Sequence, residues 1–331
     1  MTTTHFAPVA GEYGELLHKH FSSEFCKSFL RYGDLGTVMT VHFKRIADDI
    51  LNLEIRDDDT FICGFPKSGT NWAQEMIWCI ANDLDFEGAK VPMAVRCPFL
   101  EWSGILDAEK AKDPKYEFPR ELWDSVGFVK EMPSPRFIKT HLPFNMLPLQ
   151  LQQGKTGAKI VHLRRDVKDV NLSYIHHYRL HLPCRADYNE FATLFINDAV
   201  MWAPYWENVL TYLRKKGDKN ILHLRFEDMK KDLPSIIKKT AGFLGKPLSD
   251  QQVDVLLKHL SFENMKGNDA VNMENLKGHY EILTGNKVND HIMRDGQAGG
   301  WREKLSPDWV RRFDEWTEKK LQGTGISLSD E

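Results

Sequence analysis

The stretch TFICGFPKSGTNW at residues 60–72 constrains the fold more than any other part of the chain. Phe61, Ile62 and Cys63 form an apolar run, which Gly64, Pro66 and Gly69 break before a helical pattern begins near Asn71. That order reads as strand, loop, helix. A glycine-bearing loop feeding a helix leaves backbone N–H groups pointing outward at the positive end of the helix dipole, which suits a phosphate. Lys67 adds a full positive charge in the middle of the loop.

The magnesium-nucleotide version of such a loop reads G-x-x-x-x-G-K-[ST], and Gly64 and Gly69 have its glycine spacing. Thr70 and Asn71, however, stand where the lysine and the hydroxyl residue belong. The ligand to expect is a phosphate-like anion that needs no hydroxyl aimed at magnesium.

Further apolar runs at residues 136–141, 158–164 and 219–226 read as strands like 61–65, the middle ones apolar enough to be buried on both faces. Helical spacing fills the gaps at residues 71–82, 168–177, 188–215, 233–244, 250–258 and 306–321. Strands separated by helices predict an α/β fold with a central parallel sheet flanked by helices. With no repeat, low-complexity segment or linker-like shift in composition, residues 1–331 read as a single domain.

Composition limits the partners. A formal net charge of −3 argues against a nucleic-acid binder, so any anion site must be local. The five cysteines, Cys26, Cys63, Cys79, Cys97 and Cys184, form an odd set without a C-x-x-C pair, which fits a reducing cytoplasm better than a disulfide scaffold or zinc knuckle. The N-terminus lacks the basic start and apolar stretch of a signal peptide, and no segment approaches membrane-spanning length.

In a parallel sheet, ligands sit beyond the carboxyl ends of the strands. There this chain places the loop around Lys67, then Lys139, Thr140 and His141, then Arg164 and Arg165. Adjacent, these would form a cationic pocket for an anion with more than one phosphate-like group. His141 precedes LPFNMLP, whose prolines force a loop, so it belongs at the same edge and is placed to take a proton from a hydroxyl. No H-E-x-x-H, paired-carboxylate or G-x-S-x-G pattern competes with it, and no cluster predicts a metal site. On its own, Ser173 reads as a helix-surface serine and RDGQAGG at 294–300 as a glycine-rich turn.

Taken together, FPKSGTNW (65–72), KTHLP (139–143), RRDVKDVNLSY (164–174) and RDGQAGGW (294–301) make the chain resemble the cytosolic sulfotransferases, over about residues 60–316. These enzymes use 3′-phosphoadenosine 5′-phosphosulfate (PAPS) as donor and release PAP. The resemblance implies that Lys67, Ser68, Gly69, Thr70 and Asn71 hold the 5′-phosphosulfate and that Trp72 stacks on adenine. It gives Arg165 and Ser173 to the 3′-phosphate, Phe226 and Phe262 to the adenine, and Arg294, Asp295 and Gly296 to a closing loop. His141 becomes the base, with Lys67, Lys139 and Ser173 beside it at the reacting centre. Phe99, Trp102, Lys139, His141 and His177 would face a small, hydrophobic acceptor.

Several positions depart from the family pattern. Phe226 stands at a usual tyrosine, Asp295 at a usual lysine, and His177 where an aromatic residue is common. The family's dimer motif, K-x-x-x-T-V-x-x-x-E, falls on residues 302–311, where Ser306-Pro307 and Arg311 replace its centre and end. A monomer, or a dimer through another surface, is therefore expected. Other readings are a magnesium-ATP small-molecule kinase, a non-catalytic nucleotide carrier, and a dehydratase that sulfonates an alcohol such as a retinoid and then eliminates sulfate, as one insect relative does.

Overall fold

The computed structural model describes residues 5–181, 184–285, 287, 293 and 296–326. Among them are seven strands: β1 (Phe6–Pro8), β2 (Phe29–Tyr32), β3 (Thr37–Thr40), β4 (Thr60–Cys63), β5 (Phe137–Thr140), β6 (Lys159–Arg164) and β7 (Ile221–Arg225). The last four form a parallel sheet in the order β5-β4-β6-β7. β4 is thus central, with β5 on one side and β6 on the other, and the chain switches sides of β4 between them. Such a switch point opens a crevice at the carboxyl ends of the strands.

The burial of these strands follows from their alternation. Successive side chains point to opposite faces, and the two faces belong to different apolar clusters. Phe61, Cys63, Ile138 and Ile160 enter one cluster, while Ile62, Phe137, Val161, Leu163, Leu222 and Leu224 enter the other. Helices cover both faces, so continuous apolar runs are required, and each fully buried side chain contributes roughly 1.5–3 kcal/mol. The segment before Trp102 extends the sheet past β5: the Lys139 N–H donates to the Pro98 carbonyl at 2.9 Å, and the Leu100 N–H to the Lys139 carbonyl at 2.9 Å.

At the amino end of the sheet a buried ion pair ties β4 to β5. Arg136 donates from Nε to Asp59 Oδ1 at 2.8 Å and from a terminal nitrogen to Asp59 Oδ2 at 2.5 Å. It also reaches the carbonyls of Val129 and Glu54.

The helix expected at 71–82 is Thr70–Ala81, and that at 168–177 runs longer, Val167–His181. The helix expected over 188–215 is two, Tyr188–Ile196 and Tyr205–Leu213. Pro204 lacks the N–H that a continuous helix needs, and Asp198 and Trp202 take left-handed backbone with φ of 55° and 62°. The antiparallel sheet β1-β2-β3 was not expected, its strands being too short to carry a period. Among the described residues no helix is long and apolar enough to cross a membrane.

Candidate active site

The strand ends converge on one cavity of about 800 Å³. Lys67, Gly69, Thr70, Asn71, Trp72, Phe99, Trp102, Lys139, His141, Arg165, Ser173, His177, Phe226, Phe262 and Gly296 all line it. Ser68, within the loop, is fully buried. Arg294 and Asp295 fall outside the described residues. Arg164, the other cation of its strand end, does not line the cavity.

The loop after β4 owes its shape to three backbone conformations. A Cβ on Gly64 would come within 2.5 Å of the Leu163 carbonyl oxygen, so β4 and β6 approach closely only because residue 64 has none. Gly69, with φ of 96°, begins the helix Thr70–Ala81, and a Cβ there would lie 2.7 Å from the Phe226 ring. Lys67 itself is left-handed, with φ of 71°. Ser68 Oγ is buried without a hydrogen-bond partner among the described residues. An orphaned hydroxyl below a helix N-terminus fits an anion seated in the loop.

His141 is 6% exposed and held from several sides. Its Nδ1 lies 2.5 Å from the Gly64 carbonyl oxygen. A carbonyl only accepts, so Nδ1 carries the proton and the neutral ring keeps its lone pair on Nε2. The rings of Phe99 and Trp202 pack edge-on against the imidazole, with centroids at 5.0 and 5.4 Å. Burial, and then the Lys139 cation, hold its proton affinity well below the ordinary imidazole value. Lys139 points its ammonium at Asn71 Oδ1 at 3.1 Å and lies over the Phe99 ring. The side chain borders the cavity and is half-buried, and burial pushes its ammonium down to about 8.

Arg165 lies between the loop and the C-terminal glycine segment. It donates to the Lys67 carbonyl at 3.3 Å and the Gln297 carbonyl at 2.7 Å, while its guanidinium covers the Phe226 ring at 4.2 Å. Its buried Nε has no partner among the described residues. Ser173 follows in the second turn of Val167–His181, where the helix surface it occupies faces the same cavity. Trp72 donates its indole N–H to the Leu260 carbonyl at 3.0 Å and meets Phe226 edge-on. Phe262 packs under Gly296, where a Cβ would come within 2.7 Å of its ring. The aromatic residues expected at an adenine thus border one part of the cavity, beside the loop and Arg165.

The other part is apolar. Phe25, Leu106, Tyr280 and Leu283 wall it together with Phe99 and Trp102. Three further residues escaped the sequence reading. Asp169 binds the backbone of the glycine segment, Trp202 is a wall of the His141 cage, and Glu101 binds the His141 N–H. Two carried a signal: Asp169 is a carboxylate inside a cationic segment, and Glu101 is one inside the apolar run PFLEW.

Among the described residues one grouping has metal-ligand chemistry, Glu75, Cys79 and His259. It does not line the cavity. The Glu75 carboxylate is already engaged by Arg96 and by His259, so the group reads as a buried ion-pair network.

Comparison with known proteins agrees with this geometry. The family described as "Sulfotransferase domain" matches residues 57–325. The luciferin sulfotransferase of Photinus pyralis is 37% identical over 95% of this chain and 85% of its own length. Sulfotransferase 1C2 of Oryctolagus cuniculus is 33% identical over 84% and 88%. A solved retinol dehydratase, in complex with androsterone and the inactive cofactor PAP, superposes with a TM-score of 0.88 at 30% identity, covering 99% of each chain.

Proposed function

Because the chain belongs to the sulfotransferase domain family, and so transfers a sulfonate from PAPS to a small-molecule hydroxyl, we propose that His141 is the base of this transfer. The observation that carries the assignment is the contact between Nδ1 and the Gly64 carbonyl, which leaves Nε2 as the lone-pair nitrogen in a cavity-lining ring.

PAPS, when bound, supplies a sulfonate carried on a phosphate leaving group. The buried orphan Ser68 Oγ, the orphan Arg165 Nε and the side-chain-free Gly69 and Gly296 fit such a bis-anionic nucleotide. Lys67, Ser68, Gly69, Thr70 and Asn71 would hold its 5′ end and Arg165 with Ser173 its 3′-phosphate. Trp72, Phe226 and Phe262 would enclose the adenine, with Arg294, Asp295 and Gly296 closing over it. His141 removes the acceptor proton. Lys67 and Lys139 place positive charge where negative charge develops, a service a desolvated cation performs without reorganisation. Phe99, Trp102 and His177, with the apolar wall, favour a hydrophobic acceptor.

A second reading is dehydration, favoured by the TM-score of 0.88 to a retinol dehydratase. The same base and cations would serve it, the product losing water instead of retaining sulfonate. We also read the protein as one domain over residues 1–331, cytoplasmic, and a monomer or a dimer outside residues 302–311.

Incubation with labelled PAPS and a panel of phenols, steroids, retinoids and amines tests these readings, with products weighed by mass spectrometry. Sulfonated product supports transfer, and a product lighter by water supports dehydration. In the His141→Ala variant turnover should fall by at least ~10²-fold with PAP affinity retained, and wild-type rates would remove the assignment.

A further inference from the structure

Beneath the imidazole lies a carboxyl group with no part in the roles assigned so far. Glu101 is fully buried and stands where the chain leaves the edge of β5, one residue past the Leu100 bond to Lys139. Its Oε1 accepts the backbone N–H of His141 at 2.7 Å and the indole N–H of Trp202 at 3.1 Å. Its Oε2 is buried with no hydrogen-bond partner among the described residues. One oxygen therefore joins the base to a wall of its aromatic cage, two elements separated by much of the chain. The carbonyl side of His141 is held as well, by Asn208 Nδ2 at 2.8 Å.

We propose that Glu101 is a positioning residue for the transfer step, its Oε1 acting as a fixed acceptor that sets His141 and Trp202 in register. The proposal rests on the reading of His141 as base.

The acceptor does not depend on charge. An ionised carboxylate with one oxygen unsolvated is costly in a dry site, and burial pushes Glu101 up to about 7. Lys139, His141, Cys63 and Tyr212 are the titratable groups that face it. Protonation places hydrogen on the unpartnered Oε2 and leaves Oε1 accepting. A neutral amide of the same shape reproduces that arrangement, whereas an apolar side chain frees two buried N–H donors and lets the ring drift. A displacement of about 1 Å at a reacting group costs on the order of 10²-fold in rate.

The test compares Glu101→Gln and Glu101→Leu with wild type, reading kcat on an acceptor that the wild type sulfonates and PAP affinity by calorimetry. Glu101→Leu should lose about 10- to 100-fold in kcat with PAP affinity within about twofold, and Glu101→Gln should keep kcat within about threefold. Wild-type kcat in Glu101→Leu overturns the proposal. So does a Glu101→Gln protein that binds PAP normally yet is as slow as Glu101→Leu, because the charge and not the acceptor would then matter. A wild-type protein that binds PAP but transfers no label overturns the functional reading itself, a result distinct from an active wild type with an indifferent Glu101→Leu.

Discussion

Asp169 Oδ2 accepts the backbone N–H of Gly299 at 2.6 Å, fastening the C-terminal glycine segment to the helix that carries Ser173. Its Oδ1 accepts the Trp301 N–H at 3.0 Å, so one carboxylate holds two backbone positions of that segment, two residues apart. Removing it frees a wall of the donor site without touching His141. In Asp169→Ala the donor KM and the PAP dissociation constant should rise about tenfold, a loss of about 1.4 kcal/mol, with kcat at saturating donor unchanged. Asp169→Asn, which keeps one acceptor oxygen, should fall between. Calorimetric titration with PAP checks this, and wild-type affinity in Asp169→Ala would remove the latch.

The pH dependence of kcat/KM should be bell-shaped. As the proposed base, His141 would serve only when neutral, and its proton affinity is depressed by burial and by Lys139, so the acid limb should lie below pH 6.5. Lys139 serves only when charged and is pushed down to about 8, so activity falls as pH rises through that value. Glu101 keeps its acceptor oxygen in either protonation state and adds no limb. The informative variant is Lys139→Arg, which stays protonated throughout and should show no base limb near 8 at whatever rate remains.

The buried Arg136–Asp59 pair lies at the opposite end of β4 and β5 from the cavity and bears on stability alone. Arg136→Met leaves the Asp59 carboxylate buried without its cation and should cost about 3–5 kcal/mol of unfolding free energy in urea titrations. Adding Asp59→Leu should recover much of that loss. At 25 °C the folded variants should sulfonate at near wild-type rates.

Assembly turns on the segment that opens the last helix, expected over residues 306–321 and found at Pro307–Leu321. Residues 307–311 are not available for extended pairing, because Pro307 opens the helix Pro307–Leu321, capped by Ser306. At that first helical position its missing N–H costs nothing. Arg311 is paired within its own helix, with Asp308 at 2.6 Å and Glu315 at 3.0 Å. Light scattering at micromolar concentration should give a monomer, or a dimer that substitutions within residues 302–311 leave intact, and a dimer dispersed by those substitutions would contradict it.

The convergence of cations on the cavity was legible where chemistry is local. Lys67, Lys139, His141 and Arg165 each follow an apolar run, and a parallel sheet brings such ends to one edge whatever the strand order. The order β5-β4-β6-β7 could not be read, because adjacency of strands is a long-range choice that no short period encodes. The break between Ile196 and Tyr205 was missed although Pro204 announces it, because apolar spacing on both sides matched a single helix. That error hid Trp202, and with it the partner of Glu101. Ser173 became a site residue only through resemblance, since its spacing from Arg165 carries no signal until the helix is docked.

Lys67 sits in left-handed backbone, with φ of 71°, a conformation that costs a side-chain-bearing residue roughly 1–2 kcal/mol and costs glycine almost nothing. The loop would therefore be more comfortable with glycine at the very position where the donor site wants a cation. A laboratory selection that rewarded heat resistance alone would drift toward glycine there and give up the cation proposed to meet the leaving phosphate. Screening this enzyme for thermal tolerance has to retain an activity gate, because at residue 67 the two objectives pull in opposite directions.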